Sequence, residues 1–213
     1  MPVVKPQDAA GLLLIRSPLK GAAEVLLGRR HSTARFMPGI YVTPGGRLEP
    51  SDRRPSGFPE AVRQTEGAID RATRRGLLAL SRCALRETAE ETGLLVGRRG
   101  SSDCAPTAAW LSFAEAGLTP AFEDLRLIAR AITPAHSPIR FHTRFFMADG
   151  ALALGALRGD GELEDLRWVP TSALTELPMA EVTRLVIQEA VRPHNGRTAV
   201  RSFTWRGKTR LSR

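Results

Sequence analysis

The nine residues from Arg86 to Leu94 constrain this chain most, because they combine three carboxylates and an arginine with a glycine at the last position but one. They read Arg-Glu-Thr-Ala-Glu-Glu-Thr-Gly-Leu. The apolar residues just before them, between positions 77 and 85, have the spacing of an amphipathic helix. Gly93 lies where a C-capping glycine is expected. The pattern therefore predicts a helix over 71–92 with three glutamates on one face, at i, i+3 and i+4: Glu87, Glu90 and Glu91.

Repulsion between like charges at this spacing lowers the stability of a helix by a few tenths of a kcal/mol per pair, so we expect a positive charge near the three glutamates. A divalent cation would supply it, because carboxylates are hard oxygen ligands of the kind that Mg²⁺ and Mn²⁺ accept. The alternative is a solvated acidic helix end in which Arg86 is a surface ion-pair partner.

The net charge of +9 comes mainly from the end of the chain. Positions 192–213 hold seven Lys or Arg and no Asp or Glu, so the remainder carries only +2. We interpret 1–191 as a single domain and 192–213 as a basic C-terminal extension. Phe203 and Trp205 among arginines would suit stacking on nucleic acid. The strand-like pattern over 198–205 instead favours a hairpin that packs on the body or on a second subunit. The second arrangement would make a homodimer, and neither needs nucleic acid as a partner.

Membrane spans and disulfide frameworks are not indicated. The longest apolar run, 12–15, is too short to cross a bilayer, and no apolar signal segment follows Lys5. Cys83 and Cys104 show no metal-ligand spacing. We expect a cytoplasmic protein with no membrane partner and with reduced thiols, Cys83 being buried on the helix; a single disulfide is the alternative.

The remaining pattern predicts an α/β protein. Two apolar runs, 9–16 and 23–28, are joined by turn residues and predict a hairpin. Strands are expected at 39–43, 125–132, 140–148 and 166–169, and helices at 107–117, capped by Thr107, and at 178–191. Prolines and glycines interrupt 51–76, which we interpret as an insertion over the surface with a short helix at 61–69. The irregular alternation favours a mixed α/β layer over a doubly wound sheet.

The glycine turn and the acidic helix together resemble the Nudix box, the signature of Nudix hydrolases. That pattern is a glycine, five residues, a glutamate, seven residues, then Arg-Glu-apolar-x-Glu-Glu-x-Gly-apolar. Gly46 begins the match, and Arg86 to Leu94 complete it. Asp52 replaces the glutamate, Thr88 replaces an apolar residue, and 33 residues (53–85) stand where seven are usual. The resemblance implies an α/β/α sandwich with a mixed β-sheet between helices and an insertion at about 53–75.

A second motif resembles that of Nudix coenzyme A diphosphatases. It comprises Leu26 to Arg30, Arg35, Gly39 and Pro44 to Gly46, with Gly28 in place of threonine and Thr43 in place of phenylalanine. The resemblance implies hydrolysis of a small nucleoside diphosphate derivative, with CoA or acyl-CoA as favoured substrate and ADP-ribose or a dinucleotide as alternative. A non-catalytic nucleic-acid-binding or regulatory module is an alternative of another class, but such a module has no need of the four charged residues kept here.

The resemblance implies metal-assisted hydrolysis of a phosphoanhydride with Mg²⁺ or Mn²⁺. Metal ligands would be Glu87 and Glu91, with Glu90 adjacent and a carbonyl from Gly45 or Gly46. Arg86 would orient the glutamates. The general base would be Glu162, or alternatively Glu90. A basic loop would bind the substrate phosphates through Arg29, Arg30 and Arg35, an ordinary solvated turn being the alternative.

Overall fold

The computed structural model describes residues 4–18, 21–61, 71–100, 106–192, 200–206 and 209–212. Its strands are β1 (Gln7–Arg16), β2 (Glu24–Arg30), β3 (Tyr41–Val42), β4 (Gly45–Arg47), β5 (Leu95–Arg99), β6 (Leu118–Pro120), β7 (Arg126–Ile132), β8 (Phe141–Asp149), β9 (Ala153–Leu154), β10 (Leu163–Pro170), β11 (Arg201–Arg206) and β12 (Thr209–Ser212). Its α-helices are α1 (Arg71–Thr92), α2 (Leu111–Glu115) and α3 (Glu181–Val191).

One mixed sheet forms the centre, in the order β10-β2-β1-β8-β7-β11-β12, with β3 paired to β2 and β4 paired to β1. The pairs β1–β8 and β7–β11 are parallel, and the other pairs are antiparallel. A second, three-stranded sheet has the order β6-β5-β9. The C-terminal hairpin β11–β12 therefore continues the main sheet through β7.

Helices cover both faces of the main sheet. On one face Leu80 and Leu85 of α1 share a core with Leu12 of β1, and on the other Val186 of α3 packs with Leu13. Because both faces of β1 are covered, its central residues read as a continuous apolar run. The expected α/β/α sandwich with a mixed sheet is confirmed.

Several predicted elements match. The hairpin joins β1 to β2, with Ile15 facing Val25. Helix α1 has the predicted bounds, and Gly93 ends it with φ +72 while its N–H donates to Ala89. Cys83 is a buried free thiol, whereas Cys104 and most of the predicted helix at 61–69 lie outside the described residues.

Other expectations are wrong. The 107–117 segment is a 3₁₀ turn followed by only α2, and Thr107 makes no side-chain cap. The described start of the predicted insertion is mixed, since Arg53, Arg54 and Pro59 are exposed whereas Ser56 and Phe58 are buried. The second sheet has no counterpart in the prediction. Within the described residues, no helix is both long and apolar enough to cross a membrane.

Candidate active site

The main sheet brings the glycine turn back to the acidic helix. Strand β4 pairs with β1, where Gly45 faces Gly11 and Gly46 faces Ala10, and α1 packs over both strands. A Cβ on Gly46 would overlap the carboxylate of Glu87. The turn thus lies against the acidic face of the helix, so the 33 intervening residues do not separate the two halves of the site. Glycine is required at Gly45, where a Cβ would overlap the backbone of β1 at Ala10 and Gly11.

Glu91 is the most buried carboxylate of the acidic face, at 3% exposure. Its Oε2 accepts a hydrogen bond from the Gly45 N–H at 2.8 Å. Burial raises the pKa of Glu91 to about 8, with the Gly45 bond opposing the shift and the charge of Glu87 adding to it. Burial likewise raises the pKa of Glu87 to about 7, with Arg86 opposing the shift. The nearby positive charge and hydrogen bonds therefore do not fully offset the burial of these two neighbouring carboxylates.

Arg86 connects the acidic residues to one another. Its Nε and a terminal nitrogen donate to the two oxygens of Asp52 at 2.9 and 3.0 Å. It also donates to Glu90 at 2.8 Å and to Glu87 at 3.0 Å. Asp52 and Arg86 are both buried, with side chains 2% and 8% exposed, so Asp52 forms a bidentate ion pair at the position where it replaces a glutamate.

Thr88, the other departure from the motif, is fully buried. Its hydroxyl donates to the carbonyl of Ala84 at 2.7 Å, one turn earlier in α1. The helix backbone thus supplies a hydrogen-bond acceptor for this hydroxyl group, at a motif position that an apolar residue usually occupies.

A cavity of about 630 Å³ opens above the turn and the acidic face. The predicted site residues that line it are Gly45, Gly46, Arg86, Glu87, Glu90, Glu91, Glu162 and Arg30. The cavity also has apolar and aromatic lining residues, namely Phe36, Val42, Ala131, Phe141, Phe145 and Val182. The rings of Phe36 and Phe141 meet edge to face at 5.3 Å. Polar and apolar residues lining one space are typical of a small-molecule site.

Comparison with known proteins identifies the family. A model of the NUDIX domain matches residues 5–190, most of the chain. The chain belongs to the Nudix family. Among solved structures, a NUDIX hydrolase from Alicyclobacillus acidocaldarius is 32% identical, with a TM-score of 0.66, and the match covers 86% of this chain and 90% of that one. The enzyme is therefore a Nudix hydrolase, a pyrophosphohydrolase of a family that generally uses divalent metal ions.

More distant structures share the fold. The NUDIX domain of Shewanella oneidensis NrtR, complexed with ADP ribose, is 14% identical with a TM-score of 0.53, covering 88% of this chain and 87% of that one. A MutT NUDIX hydrolase from Burkholderia pseudomallei is 15% identical with a TM-score of 0.52, covering 88% and 100%.

The side chains present suit a divalent cation in this Nudix hydrolase. Glu87 and Glu91 are one helical turn apart and line the cavity, and the pKa values of both are raised. A cation bound between them would stabilise the ionised carboxylates and lower both pKa values. Within the described residues, however, no three Asp, Glu, His or Cys side chains already converge on one point. The remaining ligands would therefore be backbone carbonyl, water or substrate oxygens, as is usual for Mg²⁺.

The three arginines predicted to bind substrate are placed differently. Arg30 lines the cavity, and its Nε is buried with no hydrogen-bond partner among the residues that the structure describes. Arg29 is exposed and pairs with Glu164 at 3.1 Å. Arg35 is exposed, and neither it nor Arg29 lines the cavity. The structure thus brings only Arg30 to the acidic face.

Sequence reasoning missed two parts of this site. Phe141 and Phe145 belong to the strand predicted at 140–148, and a strand pattern does not distinguish a ring that lines a cavity from one in the core. The start of α3 also lines the cavity, at residues 180–183. Its amphipathic spacing predicted the helix but carried no sign that its first turn faces a ligand space.

Proposed function

We propose that this Nudix hydrolase cleaves the diphosphate of a nucleoside diphosphate joined to another moiety, using Mg²⁺ or Mn²⁺. CoA or acyl-CoA is the favoured substrate. The observation that carries the proposal is the shared cavity: buried Glu91, half-buried Glu87, the glycine turn and Arg30 line the same space as a set of apolar side chains.

Each residue has a distinct role in this proposal. Glu87 and Glu91 would hold the metal, with Glu90 adjacent to them and a carbonyl of Gly45 or Gly46 as a further ligand. When bound, the metal neutralises phosphate charge and lowers the pKa of a coordinated water. Arg86 keeps the glutamates in place through the ion pairs described above.

The reaction itself is attack of water on phosphorus. The water oxygen forms a new P–O bond, and the water proton passes to Glu162, or alternatively to Glu90. The bridging P–O bond breaks, and the second phosphate leaves with the bridging oxygen and the electron pair of that bond. Both carboxylates line the cavity and both are exposed enough to exchange protons with solvent. Arg30 would bind a phosphate oxygen of the substrate.

Two features support CoA or acyl-CoA. The residues from Leu26 to Gly46 resemble the CoA diphosphatase motif, and the apolar lining of the cavity suits a long, weakly polar group. ADP-ribose or a dinucleotide is the alternative, favoured by the NrtR domain that binds ADP ribose in the same fold. A nucleic-acid-binding module is disfavoured, since the complete acidic set with its arginine serves no purpose there.

The test is a panel of CoA, acyl-CoA, ADP-ribose, NADH and nucleoside triphosphates with Mg²⁺ or Mn²⁺. We expect Glu91→Gln to abolish turnover while the protein stays folded, because the amide removes an anionic metal ligand. Glu123→Gln is the control, since Glu123 is exposed and remote from the cavity. Turnover like the wild type in Glu91→Gln would overturn the metal assignment, and a preference for ADP-ribose would overturn the CoA assignment.

A further inference from the structure

A second buried ion pair lies behind the candidate active site. Nε of Arg82 donates to Oε1 of Glu60 at 2.8 Å, and a terminal nitrogen of Arg82 bonds the other carboxylate oxygen. The two side chains are only 6% and 10% exposed. Neither residue lines the cavity, so this pair has no route to substrate or metal by direct contact.

Arg82 joins this pair to the active site through Asp52. Its remaining terminal nitrogen donates to the backbone carbonyl of Asp52 at 2.9 Å. The carboxylate of the same Asp52 holds Arg86, four residues after Arg82 on the same face of α1. Two arginines on one face of the helix thus bind Asp52, Arg82 through its backbone carbonyl and Arg86 through its carboxylate.

Glu60 is itself fixed in place. Its Oε1 accepts a hydrogen bond from the N–H of Ser56 at 2.8 Å, and Ser56 is fully buried. The carbonyl of Ser56 accepts from the Thr107 N–H at 3.1 Å. Phe58 packs into the core beside α1. The first part of the insertion is therefore built into the domain, and Glu60 presents a rigid carboxylate to Arg82.

We propose that Glu60 and Arg82 are positioning residues for metal binding: they hold Asp52 so that Arg86 keeps Glu87 and Glu90 aligned with the cavity. This inference rests on the proposed function, because it concerns the same metal site. The physical reason is that Asp52 holds the guanidinium of Arg86 by two hydrogen bonds. The same guanidinium donates to Glu87 and Glu90. If Asp52 shifts, the guanidinium shifts with it, and those two carboxylates lose the positions in which they face the cavity and a cation.

The experiment measures Mn²⁺ binding by electron paramagnetic resonance without substrate, and kcat and KM with substrate. We expect Glu60→Gln to weaken Mn²⁺ binding about tenfold and to lower kcat by a similar factor, with KM changed less than twofold, because outer-shell partners typically change metal affinity by this amount. Arg82→Lys keeps the charge but cannot bridge Glu60 and Asp52 with a planar fork, so we expect the same direction and a smaller change.

The matched control is Glu189→Gln. Glu189 is equally buried, at 10% side-chain exposure, and pairs with Arg201 and Arg192 on the α3 side of the sheet. All variants are compared well below their melting temperatures. Equal Mn²⁺ affinity in Glu60→Gln and Glu189→Gln would overturn the positioning role, as would a loss confined to KM. If Glu60→Gln does not fold, Arg82→Lys decides between the same outcomes.

The two proposals fail separately. If the wild type binds Mn²⁺ but hydrolyses no compound of the substrate panel, the proposed function is wrong. The Mn²⁺ affinities of the variants still decide whether Glu60 and Arg82 position the site.

Discussion

Replacing Asp52 by asparagine removes the negative charge that faces Arg86 while keeping the shape of the side chain. In the native protein the Asp52 carboxylate accepts three hydrogen bonds, two from Arg86 and one from the Glu49 N–H at 2.8 Å. An asparagine side chain offers one oxygen acceptor, and its NH₂ group faces a donor. At least one buried donor is therefore left without a partner.

The expected loss of stability follows from two magnitudes. Removing one member of a buried ion pair costs roughly 3–5 kcal/mol, and a buried unsatisfied donor costs about 1–3 kcal/mol. Arg86 retains Glu87 and Glu90, which places Asp52→Asn at the low end, about 3 kcal/mol. For a domain of this size that corresponds to a decrease in Tm of about 6–12 °C.

Urea unfolding followed by circular dichroism measures this loss, and the control is Asp124→Asn. Asp124 makes the same bidentate contact with an arginine, Arg98, at 2.9 and 2.7 Å, but Arg98 is well exposed. We expect the free energy of unfolding of Asp124→Asn to equal that of the wild type within experimental error. A loss below about 1 kcal/mol for Asp52→Asn would refute the view that burial makes this pair essential to the site.

Three further predictions concern pH, substrate and assembly. With a chelator present, the free energy of unfolding should fall as pH rises from about 5 to 8. The folded protein keeps protons on Glu87 (pKa about 7) and Glu91 (pKa about 8) that the unfolded chain releases near 4.5. Urea unfolding at several pH values should show that the free energy of unfolding of Glu91→Gln falls less steeply with pH than that of the wild type, and equal slopes would contradict this effect. Arg30→Ala should raise KM for CoA about tenfold and more than for ADP-ribose, whereas Arg29→Ala should leave both unchanged; equal effects of the two variants would remove Arg30 from the substrate site. Deletion after Val191 should convert a dimer to a monomer in sizing chromatography if the extension mediates assembly, and an unchanged elution volume would reject that role.

The acidic helix was predictable because several local signals agree on it. Apolar spacing and glutamates on one face both indicate a helix, and the capping glycine predicts its end at Thr92, where α1 ends. The hairpin β1–β2 was predictable for a similar reason, since two apolar runs flank turn residues. Local agreement of this kind needs no knowledge of distant contacts.

Features that depend on distant partners were not predictable. The short strands β5, β6 and β9 contain five, three and two residues, too few for a periodic pattern. The bidentate bond between Asp52 and Arg86 spans 34 positions, and nothing local distinguishes Asp52 from a surface aspartate.

The arginines show a subtler difficulty. We interpreted Arg29 and Arg30 as parts of one basic loop, but both belong to β2, where successive side chains point to opposite faces. Arg30 therefore enters the cavity while Arg29 meets Glu164. A strand that extends further than expected changes which charges can reach a substrate.

The parallel pairing of β1 with β8 also determines when the site can form during folding. Gln7 faces Phe141, so the central pair of the main sheet closes a loop of 134 positions. Contacts of such long sequence separation form slowly, because the chain entropy is lost before the pairing is gained. During synthesis on a ribosome, β1, which supports the glycine turn, cannot pair with β8 until β8 has been synthesised and has emerged. We therefore expect that α1 forms early and that the acidic face acquires its glycine turn and cavity wall in one late, cooperative step.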